Sequence, residues 1–316
     1  MDIFFKNKTN LMKIINSLLI IGCLLFLTSC SFGQKETTIQ EISEPSIEKT
    51  EPSQKDVVYI PDTIFKNYLL NNEEININGD DKIQITEAEA FTGRIYCFDM
   101  GILDLTGIEA FTSLTSLHCG LNKLTSLNIT KNTALISLNC SLNQLTSLDV
   151  QNNTNLVELD CSQNKITALN VNNNTKLKEL HCFVNKLTTL DVQKNTALQT
   201  LTCSTNQLTD LNLEKNIEIE MLVCNKNKIT ALDLSKNTSL TYLFCENNQL
   251  VSLNLKNNHN TQIERIRTDN NPNLRCIKVD DPTFSTTNWK GELFRFDVGL
   301  IFNKDCDWVI LNHTSD

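Results

Sequence analysis

The sequence predicts a repeat solenoid built mainly from β-strands, a right-handed coil of about nine turns. A 21-residue phrase, LTSLHCGLNKLTSLNITKNTA at residues 114–134, returns until about residue 258 and gives seven copies in register. Each copy also repeats its own first half, because L-x-x-L-x-C-x-x-N is followed by L-T-x-L-x-V-x-x-N. We therefore expect two short strands per turn. Twenty-one residues leave little room for a helix, and threonine and β-branched residues favour strands.

The N-terminus predicts export and lipidation. Three lysines within residues 1–13 precede an apolar run at residues 18–27 that is too short to be a stop-transfer helix. The run ends in LTSC at residues 27–30, which resembles a bacterial lipobox, a small residue before a lipidated cysteine. We expect residues 1–29 to be a lipoprotein signal peptide. Cys30 would then carry acyl chains such as palmitate and anchor the chain at the outer membrane or cell surface. The alternative is a signal peptide that ends near a cysteine by chance.

Residues 30–57 are predicted to be the lipidated cysteine and a disordered tether. They are rich in Ser, Thr, Glu, Gln and Lys without apolar periodicity, so they cannot bury enough surface to offset the entropy of ordering. The whole chain carries a net charge of −9, and loss of residues 1–29, with three lysines and one aspartate, takes it to about −11. An acidic chain with scattered lysines binds polyanions poorly, so we do not expect nucleic acid as a partner.

Residues 58–92 predict a small helical N-terminal cap that contains an EF-hand-like loop. Apolar residues recur at helical spacing within residues 61–70, and NINGDDKIQITE at residues 76–87 aligns with a twelve-residue calcium loop. Hard oxygen ligands and a bidentate glutamate suit a large cation, so Ca²⁺ is the one cofactor we expect. The ligands would be the side chains of Asn76, Asn78, Asp80 and Glu87 and the carbonyl of Lys82.

The loop departs from the EF-hand pattern at two positions. Asn76 replaces the first aspartate, and Asp81 stands where glycine is usual, in a conformation that glycine takes freely. Both changes weaken calcium binding, although extracellular calcium is abundant enough to fill a weak site. The alternative is a polar turn that caps the solenoid without metal. In either case the segment would cover the open end of the repeat core.

Residues 93–274 hold the repeats, and self-similarity at this period is the signature of leucine-rich repeats. With Leu114 as position 1, position 4 is leucine in all seven copies and position 9 is asparagine. We expect position 9 to bond the backbone of its own turn and the next. A second structural asparagine column occupies position 19: Asn132, Asn153, Asn174, Asn195, Asn216, Asn237 and Asn258.

Cysteine occupies position 6, where ordinary leucine-rich repeats place an inward leucine. Strands about 4.8 Å apart hold such side chains slightly too far apart for disulfides. A metal ladder or redox relay is the functional alternative, but no histidine or carboxylate belongs to the column. We therefore interpret it as core packing by small apolar residues. With Cys97 as its first member, the column comprises Cys97, Cys119, Cys140, Cys161, Cys182, Cys203, Cys224 and Cys245.

Residues 275–316 break the 21-residue period and hold several of the aromatic residues, which predicts an irregular C-terminal cap. Cys276 and Cys306 remain once the signal, lipidated and column cysteines are assigned. In an oxidising compartment we expect these two to form a disulfide.

The phrases IPDTIFKNYLL, NINGDDKIQITEAEAFTG, LTSLDV and NPNLRCIKVDD together resemble the leucine-rich-repeat surface lipoproteins of the Bacteroidota, which are loosely internalin-like. The resemblance covers about residues 58–306. It implies a surface or secreted binding module and leaves the ligand open.

We find no catalytic signature. GxSxG, HExxH and phosphate-binding loops are absent from the sequence. His118 and His181 share a repeat position three turns apart, about 14 Å at the usual strand spacing, which is too far to share a metal. An enzyme or enzyme accessory subunit is therefore the least favoured class, behind a protein-recognition or adhesion module and a glycan-binding lipoprotein.

The two outward surfaces of the predicted coil differ in how much they vary. Position 12 is threonine in six copies, which indicates scaffold, whereas position 5 of the first strand changes at each turn and position 3 varies as well. We expect this variable face to be polar at its N-terminal end and apolar at its C-terminal end. A cluster of exposed apolar residues indicates a binding surface; incidental drift or cover by residues 277–316 are the alternatives. The predicted ligand-binding face comprises His181, Phe183, Met221, Val223, Tyr242 and Phe244.

Overall fold

The computed structural model describes residues 56–307 and shows a parallel β-solenoid, which confirms the predicted fold class. The signal peptide, Cys30 and residues 31–55 of the tether lie outside the described residues. One side of the coil is a ten-stranded sheet, one strand per turn, against the nine turns predicted. In spatial order its strands are β1 Arg94–Tyr96, β2 Ser116–His118, β3 Ser137–Asn139, β4 Glu158–Asp160, β5 Glu179–His181, β6 Thr200–Thr202, β7 Met221–Val223, β9 Tyr242–Phe244, β11 Arg265–Arg267 and β13 Phe294–Arg295.

The opposite side carries strands only in the last turns of the described chain, so the prediction of two strands in every turn is wrong. Its four-stranded sheet runs β8 Ala231–Asp233, β10 Ser252–Asn254, β12 Cys276–Lys278 and β14 Ile301–Asn303. The second asparagine column bonds neighbouring turns together on this side of the coil. Asn153 Nδ2, for example, donates to the carbonyl of Ile129 at 3.0 Å.

Each turn buries a set of apolar residues against its neighbours. In the turn that begins at residue 135, Leu135, Leu138, Cys140, Leu145 and Val150 are each at most 1% exposed. Stacked turns place equivalent residues in contact, which makes one continuous core. Full burial of a leucine or valine side chain is worth about 1.5–3 kcal/mol, so the columns stabilise the coil turn by turn.

The position 9 asparagines form the predicted ladder, and their neighbour is the preceding turn instead of the next one. Asn143 Nδ2 donates to the carbonyls of Cys119 in the preceding turn, at 3.0 Å, and of Cys140 in its own turn, at 3.1 Å. Asn143 Oδ1 accepts the N–H of Leu124, again in the preceding turn. Buried backbone groups at the corner are thereby paired.

The second asparagine column ends one residue earlier than the period predicts. Asn132, Asn153 and the next four members are fully buried, but the last member is Asn257 and not Asn258. Asn257 Nδ2 donates to the carbonyl of Asn237 at 2.9 Å. Asn258 is exposed with φ of 63°, so the chain has lost one residue of register at this corner.

The corner before each position 9 asparagine uses a left-handed residue that is not glycine. Position 8 has φ between 53° and 57° at Leu121, Leu142, Gln163, Val184, Thr205, Lys226 and Asn247. This conformation is unfavourable for β-branched side chains such as Val184 and Thr205. It turns the chain out of the strand and directs the asparagine inward, where its hydrogen bonds offset the strain.

The N-terminal cap contains two helices, α1 Thr63–Leu70 and α2 Ile85–Ala90. Asp62 caps α1, because Oδ1 accepts the N–H of Ile64 and Phe65 at 2.9 and 3.0 Å. Its Oδ2 accepts the N–H of Leu103 at 2.8 Å, which ties the helix to the first turn. Tyr68 of α1 accepts the N–H of Tyr96 at 2.9 Å through its hydroxyl and so covers part of the edge strand β1.

The C-terminal segment is more regular than predicted. It contains helix α3 Pro282–Asn288, and its strands β12, β13 and β14 extend both sheets. Trp289 stacks on Phe294, with ring centroids 6.2 Å apart, and meets Phe302 edge-on at 5.4 Å. These rings close the core where the periodic leucines end. Cys276 and Cys306 form a disulfide with their Cα atoms 5.7 Å apart.

Two 3-10 helices, Ile108–Ala110 and Asn260–Gln262, complete the described elements. Within residues 56–307, none of the helices has the length and hydropathy that crossing a membrane requires.

Candidate binding face on the ten-stranded sheet

The ten-stranded sheet exposes two side-chain columns. In its repeat strands the middle residue is a buried leucine, and the residues on either side, at positions 3 and 5, point outward. We call these the recognition columns. Position 3 reads Arg94, Ser116, Ser137, Glu158, Glu179, Thr200, Met221, Tyr242 and Arg265. Position 5 reads Tyr96, His118, Asn139, Asp160, His181, Thr202, Val223, Phe244, Arg267 and Arg295.

Four of the predicted binding residues lie on adjacent strands. Strand β7 pairs directly with β9, so Met221 faces Tyr242 and Val223 faces Phe244. All four side chains are half-buried. The structure thus brings the apolar residues of the predicted face together at the C-terminal half of the recognition columns.

His181 lies two strands away from Val223 along position 5. Its Nδ1 is 2.9 Å from Thr202 Oγ1, and its Nε2 is 3.5 Å from Glu179 Oε2. Both contacts fix the orientation of the imidazole ring. Phe183 is half-buried at position 7 of the same turn. These two residues therefore border the apolar patch.

The chain Thr202–His181–Glu179 has the order of a hydroxyl, an imidazole and a carboxylate, as in a catalytic triad. Thr202 is only 8% exposed, and the neighbouring N–H of Cys203 is committed to the carbonyl of Val223. The hydroxyl is therefore poorly accessible, and that N–H cannot serve as an oxyanion-hole donor. The two contacts thus fix the His181 ring on the outward face of the sheet.

Two arginines adjoin the apolar patch, and the sequence reasoning missed them. Arg265 and Arg267 belong to β11, the strand beside β9, and their guanidinium carbons lie 5.7 and 5.9 Å from the Phe244 ring centroid. The Tyr242 hydroxyl donates a hydrogen bond to the Glu264 carboxylate. The RIR triplet at residues 265–267 could have revealed these arginines. It lies outside the 21-residue register, because Phe244 and Arg267 are 23 residues apart.

The first turn adds aromatic rings to the N-terminal end of the face, beside the predicted polar residues His118, Asn139 and Asp160 of the next three strands. Tyr96 is 53% exposed and Phe98 37% exposed, and their ring centroids are 6.1 Å apart. The His118 ring lies 5.6 Å from that of Tyr96. Burial, followed by the positive charge of Arg94, lowers the pKa of His118. The turn that contains Tyr96 precedes the seven regular copies, which is why the period did not reveal it.

The glycine at position 7 of the first regular copy, Gly120, makes room for the Phe98 ring. A Cβ added to Gly120 would lie 3.1 Å from the Phe98 ring and 2.9 Å from Asn139 Oδ1. Equivalent turns carry serine, phenylalanine, asparagine or glutamate at this position. The missing side chain lets the ring lie over the second turn.

All eight column cysteines are buried and free: Cys97, Cys119, Cys140, Cys161, Cys182, Cys203, Cys224 and Cys245. Burial raises the pKa of Cys97 and Cys203 to about 12 and raises the others further above the ordinary value. The thiols are therefore protonated at neutral pH, and a protonated thiol is a poor nucleophile and metal ligand. Within residues 56–307 no group of three or more His, Cys, Asp or Glu side chains could hold a metal.

The EF-hand-like loop brings its predicted ligands into one network. Asp80 accepts from the N–H of Lys82 at 2.8 Å, and Glu87 accepts the N–H groups of Asn78 and Gln84 at 3.3 and 2.9 Å. The left-handed residue is Gly79, with φ of 69°, so Asp81 does not carry the strain that the alignment predicted.

One ligand atom of the loop stands apart from this network. Asn76 is 7% exposed, and its buried Oδ1 has no hydrogen-bond partner among residues 56–307. An unpartnered buried oxygen is costly unless something donates to it or it coordinates a cation. The residues thus fit a calcium ion at this point, although Asp80 and Glu87 would exchange protein donors for the metal. Hydrogen bonds to Lys82, Gln84 and Asn78 outweigh desolvation and lower the pKa of Asp80, so its carboxylate is ionised at neutral pH.

The chain is similar in structure to leucine-rich-repeat proteins. One is the functional domain of InlJ from Listeria monocytogenes, described as including a cysteine ladder, with a TM-score of 0.53 and 29% identity over 76% of this chain and 60% of that chain. A second is internalin C2 from the same organism, with a TM-score of 0.59 and 21% identity over 66% of this chain and 93% of that chain. A third is the leucine-rich-repeat protein LIC12759 from Leptospira interrogans, with a TM-score of 0.53 and 21% identity over 69% and 62% of the two chains.

This chain therefore spans about 60% of the length of the InlJ chain that it matches. No protein-family model and no curated protein sequence matches it. The shared cysteine ladder and the parallel coil identify the fold as a leucine-rich-repeat solenoid of the kind that the internalins have.

Proposed function

We propose that this protein is a non-enzymatic, surface-anchored module that recognises a protein partner, in adhesion or a related contact, through the recognition columns. The observation that carries the proposal is the patch formed by Met221, Val223, Tyr242 and Phe244. These apolar side chains point out of the coil on adjacent strands and contribute nothing to its periodic core. Large apolar and aromatic residues of this kind act as anchors in protein interfaces.

Photo-cross-linking tests the proposal directly. A photoreactive amino acid at Val223 should capture a partner at the cell surface, whereas the same amino acid at Thr188, exposed on the opposite side, should not. The captured protein is then identified and its affinity measured with purified components. Equal capture from both positions, or a partner that binds without contact to the patch, would refute the assignment of this face.

A glycan partner is the second candidate, because the N-terminal end of the columns offers aromatic rings beside polar groups. Tyr96, Phe98 and His118 form a partly exposed platform, and Asn139 and Asp160 follow in position 5. Sugar rings stack on such platforms through their C–H faces. Binding of oligosaccharides on an array that Tyr96→Ala abolishes, and Phe244→Ser leaves intact, would favour this function over protein recognition.

The surface location belongs to the same proposal. The lipobox that ends at Cys30 supports attachment by acyl chains at the outer membrane or cell surface, as in surface lipoproteins of the Bacteroidota type. Metabolic labelling with a palmitate analogue should tag the wild-type chain, and Cys30→Ala should remove the tag. Labelling that persists in the variant would show that the anchor lies elsewhere.

We also propose that the loop at residues 76–87 binds Ca²⁺ as a structural ion of the cap. The side-chain oxygens of Asn76, Asn78, Asp80 and Glu87 and the Lys82 carbonyl would hold it, and its charge would stabilise the loop that joins α1 to α2. Calcium should raise the melting temperature by mass action, and Glu87→Gln should abolish that rise. Identical melting curves with calcium and with chelator would leave the loop as a metal-free cap.

A further inference from the structure

We infer that the C-terminal end of the recognition columns binds a partner segment that carries both carboxylate and apolar side chains, with Arg265, Arg267 and Arg295 holding the carboxylates. The inference rests on the proposed function, since it specifies the partner of the same face. Four observations support it: the clustering of the arginines, the absence of counter-ions, the aromatic support of two guanidinium groups, and the mixed character of the surrounding surface.

The arginines are concentrated at one end of the sheet. The chain contains five, and none occurs between Arg94 and Arg265. Arg265 and Arg267 flank the buried Ile266 of β11 and therefore point outward on the same face. Arg295 lies on β13 as the Cα partner of Arg267. Three of the five arginines thus occupy two neighbouring strands of the recognition face.

These three guanidinium groups have no carboxylate counter-ion. Throughout residues 56–307, the ion pairs within 4.0 Å are made by His181, Lys215 and Lys278, and none involves these arginines. Like charges on adjacent strands repel one another. A partner that supplies carboxylates would relieve this repulsion and gain bidentate hydrogen bonds.

The nearby acidic residues are engaged with other donors. Glu264 accepts the hydroxyl of Tyr242, and Glu246 accepts Asn225 Nδ2 at 3.0 Å. Asp297 accepts the backbone N–H groups of Asn270 and Asn271, both at 2.8 Å. The charge of Arg267 reaches Glu246, but none of these carboxylates lies within 4.0 Å of a guanidinium nitrogen, so an external anion can still pair with the arginines.

The Phe244 ring contacts two of the arginines through its π face, and this contact occupies none of their N–H donors. Cation–π contact at 5.7 and 5.9 Å places the guanidinium groups of Arg265 and Arg267 over the ring. Both Nε atoms are buried and have no hydrogen-bond partner in the described chain, which leaves the terminal Nη groups to meet a carboxylate. The ring contacts hold these groups in place before binding, which lowers the entropy lost when a carboxylate docks.

The surface around the arginines favours a protein segment over a dense polyanion. Met221 and Val223 continue the same columns and need apolar partner side chains. The net charge of −9 and the carboxylates of Glu246 and Asp269 beside Arg267 oppose a dense polyanion such as a polysulfate more strongly than a peptide whose few carboxylates are spaced apart. A polypeptide with spaced acidic and apolar side chains meets all of these groups.

Short synthetic peptides test the inference on the full chain by fluorescence anisotropy. The probe alternates Asp or Glu with Leu or Phe; one comparison peptide has Lys in place of the acidic residues, and heparin serves as the polysulfated glycan. The acidic peptide should bind saturably. The double variant Arg265→Gln/Arg267→Gln should weaken it by about tenfold or more, and Arg275→Gln, exposed directly before β12 of the opposite sheet, should leave it unchanged. Circular dichroism melts verify that each variant folds.

Several results would overturn the inference: equal binding by the arginine double variant, tighter binding of heparin or the lysine peptide, or no saturable binding of the acidic peptide. The variant Tyr242→Ser/Phe244→Ser separates this failure from that of the proposed function. If that variant weakens a captured partner while the arginine variant does not, the face is right and the acidic specificity is wrong. If neither variant weakens the partner, both are wrong.

Discussion

The same 21-residue phrase builds the two outward surfaces of this coil, and the two surfaces have diverged in opposite ways. On the side opposite the ten-stranded sheet, position 12 is exposed threonine in six turns: Thr125, Thr146, Thr167, Thr188, Thr209 and Thr230. At position 5 of the recognition columns the residue changes from one turn to the next, from Tyr96 through Asp160 to Phe244 and Arg267. An outward residue that only solvates the surface can stay uniform, whereas one that matches a non-periodic partner cannot.

The backbone differs between the two surfaces as well. The recognition columns stand on an uninterrupted ten-stranded parallel ladder, and the opposite surface has strands only from Ala231 onward. A continuous ladder fixes the direction of each outward side chain before a partner arrives. Such pre-organisation reduces the entropic cost of association. The variable columns are thus on the more rigidly hydrogen-bonded of the two surfaces.

The functional difference between the two surfaces is tested most directly by removing side chains from each surface and measuring the affinity for the partner. Tyr242→Ser/Phe244→Ser should weaken binding of the identified partner by about 2 kcal/mol or more, because both rings are expected to be interface anchors. The matched variant Thr188→Ala/Thr209→Ala should leave the dissociation constant unchanged. Titration calorimetry measures both. Comparable losses from the two double variants would mean that the surfaces do not differ in function.

The buried cysteine column beneath the recognition columns should lose stability when a polar group replaces one of its thiols. Cys182→Ser should lower the free energy of unfolding by about 1–3 kcal/mol, because it buries a hydroxyl where no partner is available. Cys182→Ala, which adds no polar group, is the control for lost volume. Urea denaturation measures both variants.

Thiol titration supplies an independent check of the same column. The unfolded chain should expose eight more reactive thiols than the native chain, since all eight column cysteines are buried and free. Rapid reaction of several of them in the native protein would contradict the packing interpretation.

Asp62 connects the N-terminal cap to the first turn of the coil, so its replacement measures how much this connection stabilises the fold. Burial alone raises the pKa of its carboxyl, but backbone hydrogen bonds from Phe65, Leu103, Asp104 and Ile64 outweigh burial and hold the pKa below the ordinary value. Because the folded pKa is lower than the unfolded one, this carboxylate stabilises the fold fully above the unfolded pKa. The contribution is lost as the pH falls through the folded pKa.

Asp62→Ala should therefore cost about 1 kcal/mol at neutral pH, the usual value for a lost helix N-cap. The difference between wild type and variant should shrink steadily as the pH is lowered past the folded pKa. Chemical denaturation at a series of pH values measures it. A difference independent of pH would show that the carboxylate charge plays no part.

The smallest effect concerns the corner that joins the two surfaces. Val184 is left-handed with φ of 53° and is 41% exposed. Val184→Asn should stabilise the protein by about 0.5–1 kcal/mol, since asparagine tolerates this conformation better than a β-branched residue. The reverse change, Asn247→Val at the equivalent corner, should destabilise by a similar amount. A thermal melt in which Val184→Asn is less stable than wild type would mean that Val184 makes packing contacts that outweigh the strain.

Much of the fold follows from the amino-acid sequence, because each turn contacts only its neighbours. A strict period therefore specifies which residues stack, and the leucine positions, the cysteine column and the asparagine ladder could all be predicted from one copy of the phrase. Where the period slips, the prediction failed. The step from Phe244 to Arg267 hid the arginines, the shortened corner moved the asparagine column from Asn258 to Asn257, and the irregular first turn hid Tyr96 and Phe98.

The candidate site divides in the same way. The sequence by itself determined that the first strand varies, that its C-terminal end is apolar, and that the inward cysteines form a column, because alternation along a strand fixes which residues face outward. Only the tertiary structure decided that Arg265 and Arg267 lie over Phe244, that Gly79 and not Asp81 takes the left-handed turn, and that the opposite surface lacks strands before Ala231. Those features depend on contacts between neighbouring turns and on local backbone conformation, which a repeat pattern does not encode.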